Sequence, residues 1–231
     1  MTKASNIGLL AATMPELAAV IQRLDMQWQG DVAFGTCGDH TILATVCGVG
    51  RRRALAGLAT LFKNERFDVV VDLGFAGALD PSLQVGQVLD FTHVMNEAGD
   101  RLALDGAATE GPTLLTVDRV IDSVGEKQTL YEQHHAQAVD METYYIAESL
   151  GRRRVPLRCL RAIFDDATMA PPAAAMRWLT PDGQPRALPA TVWLLTHPTQ
   201  LPLLRRLRRC THLAANALAN QVEHVLMTET V

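Results

Sequence analysis

Three segments of the sequence place polar residues where a packed core would favour apolar ones: residues 71–80, 138–142 and 160–166. Asp165 ends the apolar run of the third segment, a position where burial would remove part of its hydration. Desolvation raises the pKa of a carboxyl group, so Asp165 could hold a proton and deliver it to a leaving group. The alternative is an ordinary loop aspartate that caps a turn.

In the second segment, Asp140 and Glu142 flank Met141 at the start of a predicted helix. Their carboxylates could accept hydrogen bonds from the hydroxyl groups of a ligand, or they could simply cap the helix and favour its dipole. In the first segment, Gly74 and Gly77 follow an apolar strand, and glycine lets the backbone approach a ligand and present its N–H groups.

A candidate anion site follows an earlier strand, where Gly48-Val-Gly50 leads directly into Arg51, Arg52 and Arg53. Arginines at the start of a helix oppose its dipole, so they are tolerated best when they face solvent or an anion. The cluster therefore predicts either a phosphate site at Gly50 and Arg51 or a solvated surface run.

Elements that could position these residues follow from hydrophobic periodicity. Short β-branched runs predict strands, and apolar residues repeated at steps of three and four predict helices between them. We predict strands over residues 7–11, 41–47, 68–73, 87–94, 114–117 and 157–163, and helices over 14–24, 51–62, 141–150 and 203–226. This alternation predicts an α/β fold, a single-domain three-layer sandwich around a mixed, largely parallel central sheet.

We expect residues 1–231 to form one domain, with a Pro-rich segment over residues 170–202 before the C-terminal helix. That segment holds seven prolines, which permit only short helical pieces. It follows Asp165 at the end of a strand, where ligands of α/β sheets usually bind. The segment therefore predicts either a lid over the site or a surface connection.

Composition narrows the classes of partner. The chain has 231 residues and a formal net charge of −4, so it lacks the basic field that would hold a nucleic-acid backbone. The four cysteines have no C-x-x-C pair, and the histidines show no spacing typical of metal ligands. With no secretory signal visible at the N-terminus, we expect a cytoplasmic protein with a small-molecule substrate and neither metal nor nucleic acid.

In their order and spacing, these motifs resemble the superfamily of purine nucleoside phosphorylases and methylthioadenosine/adenosylhomocysteine nucleosidases. Ala138-Val-Asp-Met-Glu142 is similar to its ribose-binding motif, and Arg161-Ala-Ile-Phe-Asp165 to its Arg-x-x-Ser-Asp motif. Residues 74–88 resemble its glycine-rich segment, which would place Gly74, Phe75 and Ala76 against the substrate. The C-terminal part, from residue 171 onward, looks most like the hopanoid-associated phosphorylases, which are taken to remove adenine from a nucleoside with a pentacyclic lipid at its 5′ carbon.

The resemblance implies roles for individual residues. Asp165 would supply the proton to N7 of a purine base, and Glu142 would bind the ribose hydroxyls while Met141 packs on the sugar. Glu16 matches the early glutamate that orients the attacking water in hydrolytic members. No cofactor is implied, although phosphate would be a co-substrate if the reaction were phosphorolysis.

Two further implications concern the pocket wall and the assembly. Val120 and Ile121 would line the base pocket through shape, although core packing explains these two residues equally well. The family also implies a homo-oligomer.

Phe75 and Phe164 depart from the family pattern, because both stand where serine is usual. Each substitution removes a hydroxyl that could support a phosphate, a water or the aspartate. The added aromatic surface could fit a larger apolar substrate, or it could mark a diverged protein with little activity.

A second class of hypothesis comes from the C-terminal helix. Residues 203–209 contain four arginines among leucines, a pattern that could lie on an anionic bilayer as a peripheral contact. This pattern leaves open a non-catalytic nucleoside-binding or membrane-surface protein, although packing of the helix on the sheet also explains its leucines.

Overall fold

The computed structural model describes residues 5–63, 65–104, 110–172, 180 and 201–228. We label the elements in chain order. They are β1 (Asn6–Ala11), α1 (Met14–Arg23), β2 (Gln27–Gln29), β3 (Val32–Cys37), β4 (His40–Val46), α2 (Arg51–Leu61), β5 (Val69–Ala78), β6 (Val88–Phe91), β7 (His93–Asn96), β8 (Arg101–Ala103), β9 (Thr113–Thr116), α3 (Val124–His134), β10 (Ala138–Asp140), α4 (Thr143–Arg153), β11 (Leu157–Asp165) and α5 (Leu201–Thr228).

The strands form one mixed sheet. Strand β5 lies at its centre and pairs with β1, β10 and β11. The order is β2-β3-β4-β1-β5-β10-β9-β7-β8, with β11 also paired to β5 and β6 paired to β11. Strand β1 runs parallel to β4 and β5, and β11 runs parallel to β5. Antiparallel pairs add β2 and β3 at one end, β8 at the other and β6 alongside β11. The predicted mixed α/β sheet is confirmed, and its parallel pairs lie mainly at the centre.

Helices cover both faces of this sheet. Successive residues of a strand point to opposite faces, so Val71 of β5 joins one hydrophobic cluster and Val70 joins the other. The first cluster includes residues of α1 and α5, and the second includes residues of α2 and α4. Each fully buried aliphatic side chain stabilises the fold by about 1.5–3 kcal/mol. The predicted three-layer arrangement is therefore confirmed.

Several predicted elements differ from the observed ones. The predicted strand over 87–94 is two strands, because the chain leaves β11 at Thr92, whose backbone N–H donates to the carbonyl of Pro112, and continues beside β9 as β7. Helix α4 begins at Thr143 rather than at Met141, since Glu142 is its N-cap. The short strands β2, β3, β8 and β10 and the helix α3 were not predicted.

Helix α5 uses its apolar side chains within the protein. Leu207 and Cys210 are buried in a cluster with Met169, and Leu203 and Leu204 pack against that cluster. This packing accounts for the leucines that suggested a membrane surface, while the neighbouring arginines remain exposed. Among the helices that the structure describes, none is long and apolar enough to cross a membrane.

Residues 173–179 and 181–200, which make up most of the Pro-rich segment, lie outside the described residues. The choice between a lid and a surface connection therefore stays a prediction, as does the assignment of residues 1–231 to a single domain. All four cysteines are free thiols, and Cys37, Cys159 and Cys210 are buried.

Candidate active site

A cavity of about 820 Å³ opens at the edge of the sheet where the parallel strands β5 and β11 reach their carboxyl ends, and the end of β10 also borders it. Ligands of α/β sheets usually bind at this edge. Predicted site residues in its wall are Glu16, Phe75, Ala76, Val120, Ile121, Asp140, Met141, Glu142, Phe164 and Asp165. Other described residues in the wall include Thr13, Pro15, Val49, Gly77, Arg119, Lys127, Pro171, Leu204, Leu207, Arg208, Thr211 and His212.

Asp165 owes its position to an irregularity in β11. The register between β11 and β5 shifts between Ile163 and Asp165, so Asp165 lies opposite Gly77. A Cβ atom at Gly77 would lie 3.3 Å from both carboxylate oxygens of Asp165, so the missing side chain leaves room for this group. Asp165 is only 4% exposed. Its carboxyl group therefore lies in the cavity wall but is largely shielded from water.

Lys127 of α3 forms a buried ion pair with Asp165 and was not among the predicted site residues. Its ammonium donates to Oδ2 of Asp165 and to the backbone carbonyl of Asp166 at 2.9 Å. Burial raises the pKa of Asp165 to about 6, although the Lys127 charge opposes that rise. Asp165 therefore keeps its proton to a higher pH than an ordinary aspartic acid does.

Glu16 is held in the cavity wall by two separate parts of the backbone. It is the third residue of α1, and the N–H of Thr13, the N-cap of that helix, donates to its Oε2 at 2.5 Å. The N–H of Phe75 donates to its Oε1 at 2.9 Å. Burial raises the pKa of Glu16. Glu16 is buried in the cavity wall, unlike a solvated carboxylate that only favours the dipole of a helix at its first turn.

Glu142 is held by Gly50, part of the loop for which the sequence predicts a phosphate site. The N–H of Gly50 donates to its Oε1 at 2.7 Å, and the N–H of Met141 donates to its Oε2 at 3.2 Å. Burial, together with the nearby Asp140 charge, raises the pKa of Glu142 to about 8. Gly50 and Arg51 are not in the described wall of the cavity, and Arg51 is exposed with its guanidinium 4.7 Å from the centre of the Tyr145 ring.

Asp140 belongs to a buried network beneath the cavity. Arg161 Nη2 donates to Asp72 at 2.6 Å and to Asp140 at 3.1 Å, and Thr116 donates to Asp140 at 2.6 Å. Both carboxylate oxygens of Asp140 thus accept hydrogen bonds from the protein, although the residue also borders the cavity. Gly74 lies in the same layer, since a Cβ atom there would be 3.2 Å from Arg161 Nη1.

Phe75 and Phe164, the two departures from the family pattern, stack on each other. Their ring centres are 5.7 Å apart and their planes differ by 15°. Leu204 and Leu207 of α5 extend the same apolar wall, and the sequence reasoning had not assigned them to the site. This side of the cavity therefore suits an apolar group.

Within the ranges that the structure describes, no group of three or more His, Cys, Asp or Glu side chains is arranged to hold a metal ion.

This chain is similar in sequence to proteins of one enzyme superfamily. A model of the family described as "Phosphorylase superfamily" matches residues 6–111. A 5′-methylthioadenosine/S-adenosylhomocysteine nucleosidase from Staphylococcus epidermidis is 25% identical over 195 residues, which cover 69% of this chain and 86% of the relative.

Two solved structures share the fold. The nucleosidase of the same name from Neisseria meningitidis, in complex with methylthio-immucillin-A, has a TM-score of 0.70 at 16% identity and covers 97% of this chain and 99% of its own. Futalosine hydrolase of Helicobacter pylori has a TM-score of 0.68 at 15% identity and covers 94% and 95%. The resemblance to the nucleoside phosphorylase and nucleosidase superfamily is confirmed. The protein is an enzyme, a nucleosidase or a nucleoside phosphorylase.

Proposed function

We propose that this enzyme hydrolyses the N-glycosidic bond of a purine nucleoside whose base is adenine. One observation carries the proposal: a protonatable carboxyl at Asp165 and two backbone-anchored carboxyls at Glu16 and Glu142 border one cavity. The substrates named for the similar nucleosidases and their bound analogue support a purine nucleoside as the ligand.

Each carboxyl group has a separate task. Asp165 gives its proton to N7 of the base as the bond between C1′ and N9 breaks, and the bonding electron pair passes into the purine. The ribosyl group develops positive charge, and Glu142 accepts hydrogen bonds from its hydroxyls. Water then attacks C1′ and loses a proton to Glu16, so that neutral base and free sugar are the products.

Water has more support than phosphate as the nucleophile. Gly50 gives its N–H to Glu142, and Arg51 is exposed and stacks near Tyr145. The predicted phosphate site is thus occupied by contacts within the protein, and Glu16 is in place to orient a water. Phosphorolysis and phosphate as co-substrate become the second outcome of the test below.

The 5′ substituent is proposed to be large and apolar. A cavity of about 820 Å³ is near the upper end of the range of about 300–1,000 Å³ for small-molecule sites. Its stacked Phe75 and Phe164 and its leucines from α5 would suit a lipid chain, as in adenosylhopane. A methylthio or homocysteinyl group is the alternative. The homo-oligomer, the cytoplasmic location and a peripheral membrane contact remain predictions.

Release of free adenine tests these proposals. The substrates are methylthioadenosine, adenosylhomocysteine, adenosine and an adenosine with a bulky 5′ lipid, each with and without phosphate. We expect release without phosphate and the highest kcat/KM for the lipid-bearing nucleoside. Release that requires phosphate would contradict hydrolysis, and a preference for methylthioadenosine would contradict the lipid substrate.

A further inference from the structure

The buried ammonium of Lys127 has no task in the reaction described above. Lys127 is 1% exposed and lies on α3, a helix whose only other buried residue is Leu130. Burying a lysine costs several kcal/mol unless its charge is compensated, so a buried lysine needs a specific partner. Here the partner is the residue that we propose as the proton donor.

Three oxygens surround the ammonium of Lys127. It donates to Oδ2 of Asp165, to the backbone carbonyl of Asp166 at 2.9 Å and, more weakly, to the carbonyl of Asp165 at 3.4 Å. An ammonium has three N–H donors and no acceptor. These three contacts all lie at the end of β11, so the ammonium is held there by the protein.

We propose that Lys127 is a positioning residue that fixes the Asp165 carboxyl group in the cavity wall and stabilises the carboxylate formed when Asp165 gives up its proton. This inference rests on the proposed function, because it assigns Lys127 a part in the same proton transfer. The ammonium keeps its own proton throughout. The proton that reaches N7 comes from Asp165, and the negative charge left on Asp165 stays beside Lys127.

The residue before Asp165 in the chain gives the carboxyl group no side-chain donor. It is Phe164, whose ring stacks on Phe75. The lysine approaches from α3 instead. Gly77 lies beside this contact, since a Cβ atom there would be 3.4 Å from Lys127 Nζ.

The other groups around the Asp165 carboxyl have weaker or opposing effects. Asp166 adds a negative charge that raises the pKa of Asp165, but Arg206 of α5 pairs with Asp166 at 3.1 Å. The thiol of Cys210 on α5 is also nearby, and its own pKa is raised chiefly by burial. Lys127 is the cation whose charge lowers the pKa of Asp165.

The test is the pH profile of kcat/KM for adenine release by the parent, Lys127→Met and Lys127→Arg. In the parent, activity falls as pH rises through the pKa of Asp165, because the donor loses its proton. An opposite charge close to a carboxyl lowers its pKa by about 1–3 units, so Lys127→Met should move this fall to higher pH by about 1–3 pH units. Its maximal rate should also drop by about tenfold or more, because the carboxylate that forms has lost its cation.

Lys127→Arg keeps the charge and should leave the fall of activity close to its parental pH. A purely structural lysine would give a different result: Lys127→Met would lose activity equally at every pH, and the fall would not move. That outcome would overturn the inference. If Lys127→Met does not fold, Lys127→Gln is the second neutral variant, and the same shift is expected of it.

A titration of the Asp165 carboxyl carbon by ¹³C NMR, assigned by its absence in Asp165→Asn, needs no turnover. It should show a higher pKa of Asp165 in Lys127→Met than in the parent. An unchanged pKa would refute the role of Lys127. If the pKa of Asp165 is higher in Lys127→Met but the parent releases no base, the role of Lys127 beside Asp165 stays valid. That result would refute the proposed function instead.

Discussion

The backbone N–H of Phe75 donates a 2.9 Å hydrogen bond to Oε1 of Glu16, which ties the end of β5 to the first turn of α1. The second carboxylate oxygen is held by the N–H of Thr13. Both oxygens keep lone pairs free, because an ionised carboxylate can accept about four hydrogen bonds. The arrangement fixes Glu16 in the cavity wall while leaving it able to accept a proton from water.

Glu16→Gln should therefore remove activity and preserve the fold. Glutamine keeps an oxygen for the Phe75 N–H but cannot take a proton, and loss of a general base typically lowers kcat by about 10²–10⁴-fold. Steady-state kinetics and thermal melting of the parent and the variant would check this. Retained hydrolysis in a folded Glu16→Gln variant would show that another group activates the water.

The network around Arg161 should be essential for stability. Its guanidinium is 3% exposed and lies between the carboxylates of Asp72 and Asp140. Removing one partner of a buried ion pair typically costs about 3–5 kcal/mol, so we expect a loss of that size in the free energy of unfolding of Arg161→Met.

Arg152→Met is the matched control, since Arg152 is 75% exposed and pairs with Glu148 on the surface. Exposed pairs contribute about 0–1 kcal/mol, so this variant should stay near the parent in urea unfolding. Equal losses in the two variants would show that the buried network has no special role.

Glu142 should make the stability depend on pH. Its pKa is raised to about 8 in the folded protein, chiefly by burial, above its ordinary value of 4.5. Between these two values the folded state holds a proton that the unfolded state has released, so the free energy of unfolding falls as pH rises. The slope is at most about 1.4 kcal/mol per pH unit.

Urea unfolding at several pH values between about 5 and 8 would measure this slope. Glu142→Gln cannot ionise and should show a flatter dependence than the parent. A parent whose stability rises over that window, or a variant with the parental slope, would contradict the buried, protonated carboxyl.

The stacked pair of Phe75 and Phe164 should control the size and polarity of the 5′ group. Phe164→Ser restores the residue usual in the family and removes one ring of the stack. We expect kcat/KM for the lipid-bearing nucleoside to fall by about tenfold, which corresponds to about 1.4 kcal/mol of lost apolar contact.

The activity of Phe164→Ser on methylthioadenosine should change less, since a small substituent covers less of this wall. The ratio of the two kcat/KM values is the measurement, because it cancels any general loss of activity. An unchanged ratio would mean that the aromatic pair does not contact the 5′ group.

Sequence reasoning identified the carboxyl groups and the two phenylalanines of the cavity wall because its motifs mark strand ends. Asp165 and Phe75 lie towards the carboxyl ends of β11 and β5, and the ends of parallel strands meet at one edge of a sheet. Glu142 follows the short strand β10, which is parallel to β9. The central strands were predicted from their apolar runs. The edge strand β2 was missed because all three of its residues are exposed, so it carries no buried face to reveal it.

Contacts between residues far apart in the chain could not be predicted from the sequence. Lys127 lies 38 residues from Asp165, on a helix with almost no apolar face, so neither periodicity nor a motif indicated it. Gly50 has a φ of +90°, and its N–H turns to Glu142 rather than to a ligand, which depends on a contact 92 residues away. The leucines of α5 in the cavity wall were interpreted as core or membrane contacts because they stand among arginines in residues 203–209.

The most direct test of the account is release of free purine base by the parent and by Asp165→Asn in phosphate-free buffer, over the panel of nucleosides named above. Asparagine keeps the size of the side chain but cannot deliver a proton, so we expect the parent to release adenine and the variant to be slower by about 10²–10⁴-fold. Equal rates in the two proteins, or no base released by the folded parent from any nucleoside, would contradict it.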